Sequence, residues 1–250
     1  MRLVAIEHHA YALVAVLGTL AAVLVIDWLT RRPGWPRLAA LWHGVVPPFV
    51  NITGTLFALT LAFIANDTWA ARDRAMDATY REAEALRSLL ILSETLPQGA
   101  ALAVLIRDYG TAAADEWPAL RRAEADPATT QAADRLLAAA ASPDFQASTG
   151  DAVGQAILNR VSALRSDRDM RIALTQTHLN PLKWLAMALL GFLTLLSIAA
   201  VHLENRYALR LGVALFALAA APAAAIVLMQ GNPFQEPAAV TADPIRAAVK

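Results

Sequence analysis

The residue types that most often carry chemistry are sparse in this chain, and their spacing does not suit them to it. There is no cysteine, so a thiolate metal site, a cysteine nucleophile and a disulfide framework are all excluded. The histidines His8, His9, His43, His178 and His202 have no second histidine or carboxylate at the helical spacing of a recognised metal motif. Asp167-x-Asp169 and Asp115-Glu116 bring carboxylates close together, as general acid–base work requires. Both pairs lie in charged helical runs, however, and read as solvated faces. No glycine-rich phosphate loop and no nucleophile motif is present. The expectation is a chain that is not an enzyme and uses neither metal nor cofactor.

Polar residues inside apolar segments say more, because an unpaired polar group is expensive in hydrocarbon. Asn51, Thr55, Ala58, Ala62 and Asn66 follow at four- and three-residue steps and share one helix face. Two readings stay open: a water-filled path lined by that face, or close helix packing on a small-residue stripe. The frequency of small-residue interfaces favours packing. A neighbouring face holds Thr53, Phe57, Thr60 and Ile64, of which Phe57 and Ile64 suit a constriction that gates by dewetting. Arg165, Arg168 and Arg171 recur every third residue. They could attract anionic lipid or a permeating anion, but ion pairing with Asp77, Glu82 or Glu84 is the expected use, since the two segments carry opposite charge.

The elements that must position these residues are helices, most of them apolar. Apolar residues make up 57% of the 250, too oily for a soluble domain. The 21 basic and 21 acidic residues leave no basic footprint for nucleic acid. Ala10 to Ile26 is uncharged and, with Trp28 and Leu29, approaches the roughly 20 residues that cross a bilayer. It ends in Asp27-Trp28-Leu29-Thr30-Arg31-Arg32, without the small-residue site of a cleaved signal peptide. Further spans are expected over 48–66, 184–203 and 211–230, the last two as a tight hairpin with Pro222 kinking the fourth. No glycine or proline occurs between Gly54 and Pro97, so the second helix is expected to run on beyond Trp69, presenting Met76, Ala83, Leu86, Leu90 and Ser93 as an amphipathic stripe. A helix marked by Leu102, Ile106, Tyr109, Ala113 and Trp117 should end near Pro118. Another should open at Asp126-Pro127 and stop before Ser142-Pro143, and one more should run from Asp151 to His178. No sheet is expected. The predicted fold is an all-α, four-helix transmembrane protein with a helical extramembrane region between helices 2 and 3. Its divisions are 1–66 (helices 1 and 2), 67–181 (extramembrane), 182–231 (hairpin) and 232–250 (carboxy-terminal tail).

In order along the chain come Arg81-Glu82-Ala83-Glu84-Ala85-Leu86-Arg87-Ser88-Leu89 directly after the second hydrophobic helix, Tyr109, Glu116-Trp117-Pro118, Arg168 with Arg171, Pro181 with Trp184, and Asn232-Pro233-Phe234. That series, from about Thr53 to Ala248, resembles the bacterial bestrophin-like domain family. Gln235-Glu236-Pro237 departs from the serine and glycine that more usually follow Pro-Phe in it. The resemblance implies kinship with pentameric anion channels, and cytoplasmic termini and central region. The basic flanks agree with that side: Arg2, Arg72, Arg74, Arg81, Arg168, Arg171, Lys183 and Arg246 outnumber Arg31, Arg32, Arg37, Arg206 and Arg210. The expected setting is therefore the bacterial inner membrane, with the lipid bilayer, further copies of the chain and an inorganic anion as partners. The leading functional expectation is a homo-oligomeric ion channel. The alternative is a non-conducting membrane scaffold or sensor whose helical region recruits a partner.

Overall fold

The computed structural model of the chain describes residues 8–35, 37, 46–96, 99–175, 181–202, 205–236 and 238–250. The expectations placed on Arg2, His43, Pro97, His178, Leu203 and Pro237 lie outside the described residues. Every regular element among the described residues is helical: α1 (His8–Thr30), α2 (Val46–Glu94), α3 (Gly99–Asp115), α4 (Trp117–Arg121), α5 (Pro127–Ala140), α6 (Pro143–Thr149), α7 (Asp151–Thr175), α8 (Pro181–Val201), α9 (Arg206–Met229) and α10 (Asp243–Ala248). Four of them, α1, α2, α8 and α9, are long and apolar enough to cross a membrane. α2 is unbroken over 49 residues, about 70 Å at 1.5 Å per residue, more than twice a bilayer core. α9 also continues through Pro222, as membrane helices allow when neighbours take up the freed carbonyl.

The chain divides into two compact units, residues 1–69 with 179–231, and residues 70–178 with 232–250. In the first, α1 packs on α9 and α9 on α8. Ile26, Leu195, Ala199, Leu209 and Val213 form one apolar cluster, and Ile64, Ala65, Met187, Ala224 and Val227 another. The buried hydroxyls of Thr194 and Ser197 donate to the carbonyls of Leu190 and Leu193 on their own helix, which satisfies them without a partner helix. Gly191 leaves room for the Phe57 ring against α8, since a β-carbon there would stand 3.2 Å from Phe57 Cε2. Outward, Leu13, Leu17, Leu20, Leu185, Leu215 and Leu218 are exposed, the surface that lipid requires.

The second unit is an ordinary helical core. Leu86, Leu89, Ile106, Tyr109, Leu136, Ile157, Val161 and Leu164 are fully buried, and α5 packs on α3 and α7. Asp126 caps α5 by accepting from Thr129 N at 2.9 Å, with Pro127 in the first turn. Ser142 both follows α5 and caps α6 through Phe145 N. The expected helix end near Pro118 falls at Asp115 instead. Pro118 occupies the first turn of the short α4, where its missing N–H removes no helical bond.

Candidate functional site

Two groups of residues stand out. The first lies on α2. Thr53, Ile64 and Ala65 are buried in the first unit, and Phe57 lies against Phe216, ring centroids 5.4 Å apart. Thr53 Oγ1 donates to the carbonyl of Phe49 at 3.0 Å, within its own helix. The packing face of α2 is thus the one holding Phe57 and Ile64, and both side chains are used in the chain's own bundle. Asn51, Thr55, Ala58, Ala62 and Asn66 are all exposed. Beside them Ile52, Leu56, Leu59 and Phe63 are exposed as well. The subunit alone covers neither strip. An amide or hydroxyl row left against acyl chains is unfavourable, so the polar strip calls for water or another protein surface.

The second group is a buried charge cluster in the second unit. Arg171 grips Glu82 with two bonds, Nε to Oε2 at 2.6 Å and Nη2 to Oε1 at 2.9 Å, and none of either side chain is exposed. Arg168 grips Glu116 in the same manner, at 3.1 and 2.6 Å. Arg171 Nη2 lies 3.6 Å from the same Glu116, so two arginines and two glutamates form one neutral set. Each glutamate takes one further donor: Tyr109 Oη donates to Glu82 at 2.6 Å and the backbone N–H of Asp126 donates to Glu116 at 3.1 Å, while Arg171 Nη1 is buried without a hydrogen-bond partner among the described residues. Bidentate geometry with every carboxylate oxygen engaged is what allows a buried ion set to persist. Burial opposes the charge of Arg168, but its hydrogen bond to Glu116 and that residue's charge more than offset this and raise its pKa. Arg171 likewise is raised against its burial, by Glu82. Burial, and then the adjacent Glu82 carboxylate, push the Tyr109 hydroxyl well above its usual value.

Trp117 ties this cluster to the carboxy-terminal segment. Its ring lies 4.8 Å from the Arg171 guanidinium carbon, its Nε1 donates to the Val240 carbonyl at 2.6 Å, and it meets Phe234 edge-on at 5.7 Å. Asn232 donates to the Leu120 carbonyl at 3.0 Å and accepts from Phe234 N at 2.9 Å. The Asn-Pro-Phe turn is therefore an interior part of this unit. The departing Gln235 and Glu236 are also anchored, to the carbonyl and guanidinium of Arg121.

These features can be set beside known proteins. A family model described as Bestrophin-like domain matches residues 17–245, nearly the whole chain. The chain belongs to the bestrophin-like family. Its fold resembles a crystal structure of a bacterial bestrophin homolog from Klebsiella pneumoniae, with a TM-score of 0.64 at 13% identity over 97% of this chain and 96% of that one. No curated protein matches it by sequence. It is thus a multi-pass membrane protein of the bestrophin type.

In this bestrophin-like chain the residues singled out by sequence separate into three sets. Glu82, Arg168 and Arg171 come together at the buried cluster, whereas Glu84 and Asp77 are exposed and Arg165 pairs with Asp134 on α5 at 2.8 Å. Arg81 takes Asp167 at 2.9 Å. The reading of Asp115-Glu116 as a solvated face is corrected for Glu116, 1% exposed. It sits at the α3–α4 junction, turned inward, where α7 can reach it. Sequence reasoning also missed Trp117 as a partner of Arg171; the Glu-Trp-Pro sequence, a large aromatic between a charge and a helix-opening proline, was the available signal. Among the described residues no group of three or more His, Asp or Glu could hold a metal ion.

Proposed function

We propose that the chain is one subunit of a homo-oligomeric ion channel in which α2 of each copy turns the Asn51, Thr55, Ala58, Ala62, Asn66 strip toward a central water-filled path. The observation that carries this reading is that the subunit leaves that strip exposed while packing the face of α2 that holds Thr53, Phe57 and Ile64. Kinship with a bacterial bestrophin homolog supports the same arrangement. Amides and hydroxyls line the path without fixed charge, so selection falls to charges at its ends. Arg72 and Arg74 follow the strip on the same helix, and they favour a small inorganic anion. Residues 67–181 form the extramembrane part in this reading, on the cytoplasmic side of a bacterial inner membrane with both termini. An alkaline phosphatase or fluorescent-protein reporter fused after Lys250 reads that orientation.

The deciding experiment is flux from liposomes holding the purified protein, run with chloride and then with a large impermeant anion, beside sizing in detergent. Saturable chloride flux from an oligomer is the expected result. A monomeric chain with no flux favours the scaffold reading.

A further inference from the structure

We propose that the end of the bundle where α1 stops and α9 starts binds the phosphate group of an anionic phospholipid, held by Arg31, Arg206 and Arg210 beside Trp35. A small cleft, open to solvent, is lined there by Asp27, Arg31, Trp35, Arg206 and Arg210 among others. Of the charged groups lining it among the described residues, three are guanidiniums and one is a carboxylate. Asp27 pairs with Arg31 and lies 3.6 Å from Arg210 Nε, so one negative charge is shared between two arginines while Arg206 adds a third positive charge.

Their placement on the helices increases the imbalance. Arg206 and Arg210 open α9, and its first turn holds no acidic residue. Peptide dipoles make that end of a helix positive, so basic side chains there are opposed by the helix they sit on. The cap is neutral: Asn205 accepts from the N–H groups of Tyr207 and Ala208. An anion in the cleft offsets the guanidinium charge and sits at the positive end of the α9 dipole. Trp35 supplies an independent observation. It is 6% exposed, and its Nε1 is buried with no hydrogen-bond acceptor among the described residues. A sheltered donor of this kind is unfavourable unless something accepts from it, and a phosphate oxygen in the cleft Trp35 lines is a suitable acceptor.

The surroundings favour a lipid over a free ion. Trp28 and Tyr207 are exposed beside the cleft, and the Arg32 guanidinium lies 3.9 Å over the Trp28 ring, a combination suited to headgroup depth. On the adjoining stretch of α1, Leu24 and Val25 are exposed and offer an apolar surface for acyl chains. The excess positive charge selects an anionic headgroup over a zwitterionic one. This site does not depend on whether the protein conducts.

The test titrates detergent-purified protein with short-chain phosphatidylglycerol, short-chain phosphatidylcholine and inorganic phosphate at matched ionic strength. The unfolding temperature and the bound lipid counted by intact-protein mass spectrometry are the readouts. Phosphatidylglycerol should raise the midpoint saturably and the other two should not. The double variant R206Q/R210Q should bind it roughly tenfold or more weakly, with R206K/R210K recovering most of the loss. Arg31→Gln, on the other helix, should weaken binding also, and it serves if the double variant does not fold. Trp35→Phe, which keeps the ring and removes the donor, should bind severalfold more weakly. Equal response to phosphatidylglycerol and phosphatidylcholine, or undiminished binding by the arginine variants, overturns the proposal. An equal response to inorganic phosphate overturns the lipid assignment in favour of a free anion, and undiminished binding by Trp35→Phe overturns the part given to the indole.

Discussion

Glu82 and Arg171 are both shut off from solvent, and for such a pair losing one partner is worse than losing both, because the survivor is a buried unpaired charge. Arg171→Met should destabilise the protein by about 3–5 kcal/mol and Glu82→Leu comparably, while the double variant should fall well short of their sum. Chemical unfolding of the four species in detergent measures this, and strict additivity would refute it. Tyr109 contributes in another way. Its hydroxyl donates to Glu82, and its pKa lies above the ordinary 10.0, so the folded state holds the proton more tightly than the unfolded chain. The stability from that proton is complete below about pH 10 and is lost as pH rises from there through the folded value. Tyr109→Phe should lose about 1.5–3 kcal/mol at neutral pH and should flatten the alkaline part of the stability profile; an unchanged alkaline slope would count against it. The meeting of Arg171 and Glu82 was legible from opposite charge on two neighbouring helices. The burial of Glu116 was not, because composition reveals charge, whereas the direction a side chain takes at a helix junction depends on what packs there.

α2 runs through Gln-free, Gly-free and Pro-free sequence from Thr55 to Glu94, and two neighbouring substitutions can separate the causes of its stability. Asp77 is exposed, so Asp77→Pro removes a backbone bond and little else and should cost about 3 kcal/mol. Ala78 is fully buried, and Ala78→Pro should cost that amount plus about 1–3 kcal/mol for overpacking. Circular dichroism melts of both variants test the order, and near-native stability for Asp77→Pro would mean the helix is already interrupted there. The long elements were readable because hydropathy and three- to four-residue periodicity accumulate over many turns. α6 and α10 were not: at seven and six residues they hold under two turns of pattern. Ser142-Pro143 reads equally well as the stop of α5 and the start of α6, and here it serves as both. The carboxy-terminal run looks like a tail by composition, yet Phe234 and Ile245 are fully buried, because the groove that receives them is built from helices more than a hundred residues earlier.

At the level of the whole molecule, the second unit is assembled from two stretches of chain, 70–178 and 232–250. Truncation after Gly231 removes Asn232, Phe234 and Val240, the partners of Leu120 and Trp117, and should make 70–178 sensitive to limited proteolysis; equal resistance would show that the segment is dispensable. The arrangement of subunits is harder to read from one chain, since sequence places Asn51, Thr55, Ala58, Ala62 and Asn66 on one face without stating what that face meets. The subunit narrows the choice. Its own helices cover Thr53, Phe57, Ile64 and Ala65, and leave the polar strip and the Ile52, Leu56, Leu59, Phe63 strip open. If copies surround a path, the polar strip is wet and the apolar one meets protein or lipid; if the polar strip is an intersubunit packing surface, neither is wet. Because the natural chain has no cysteine, single replacements report this directly. Thr55→Cys and Ala62→Cys should react with a charged, water-soluble thiol reagent in liposomes, and their modification should reduce chloride flux. Leu59→Cys and Phe63→Cys should be slow to react, and Ile64→Cys, inside the bundle, slower still. Ala62→Leu should keep the oligomer by sizing while lowering flux, since a side chain in water has room to grow and one in a tight interface does not. Unreactive Thr55→Cys and Ala62→Cys, with an oligomer that falls apart on Ala62→Leu, would mean the strip is packed and the ion path lies elsewhere.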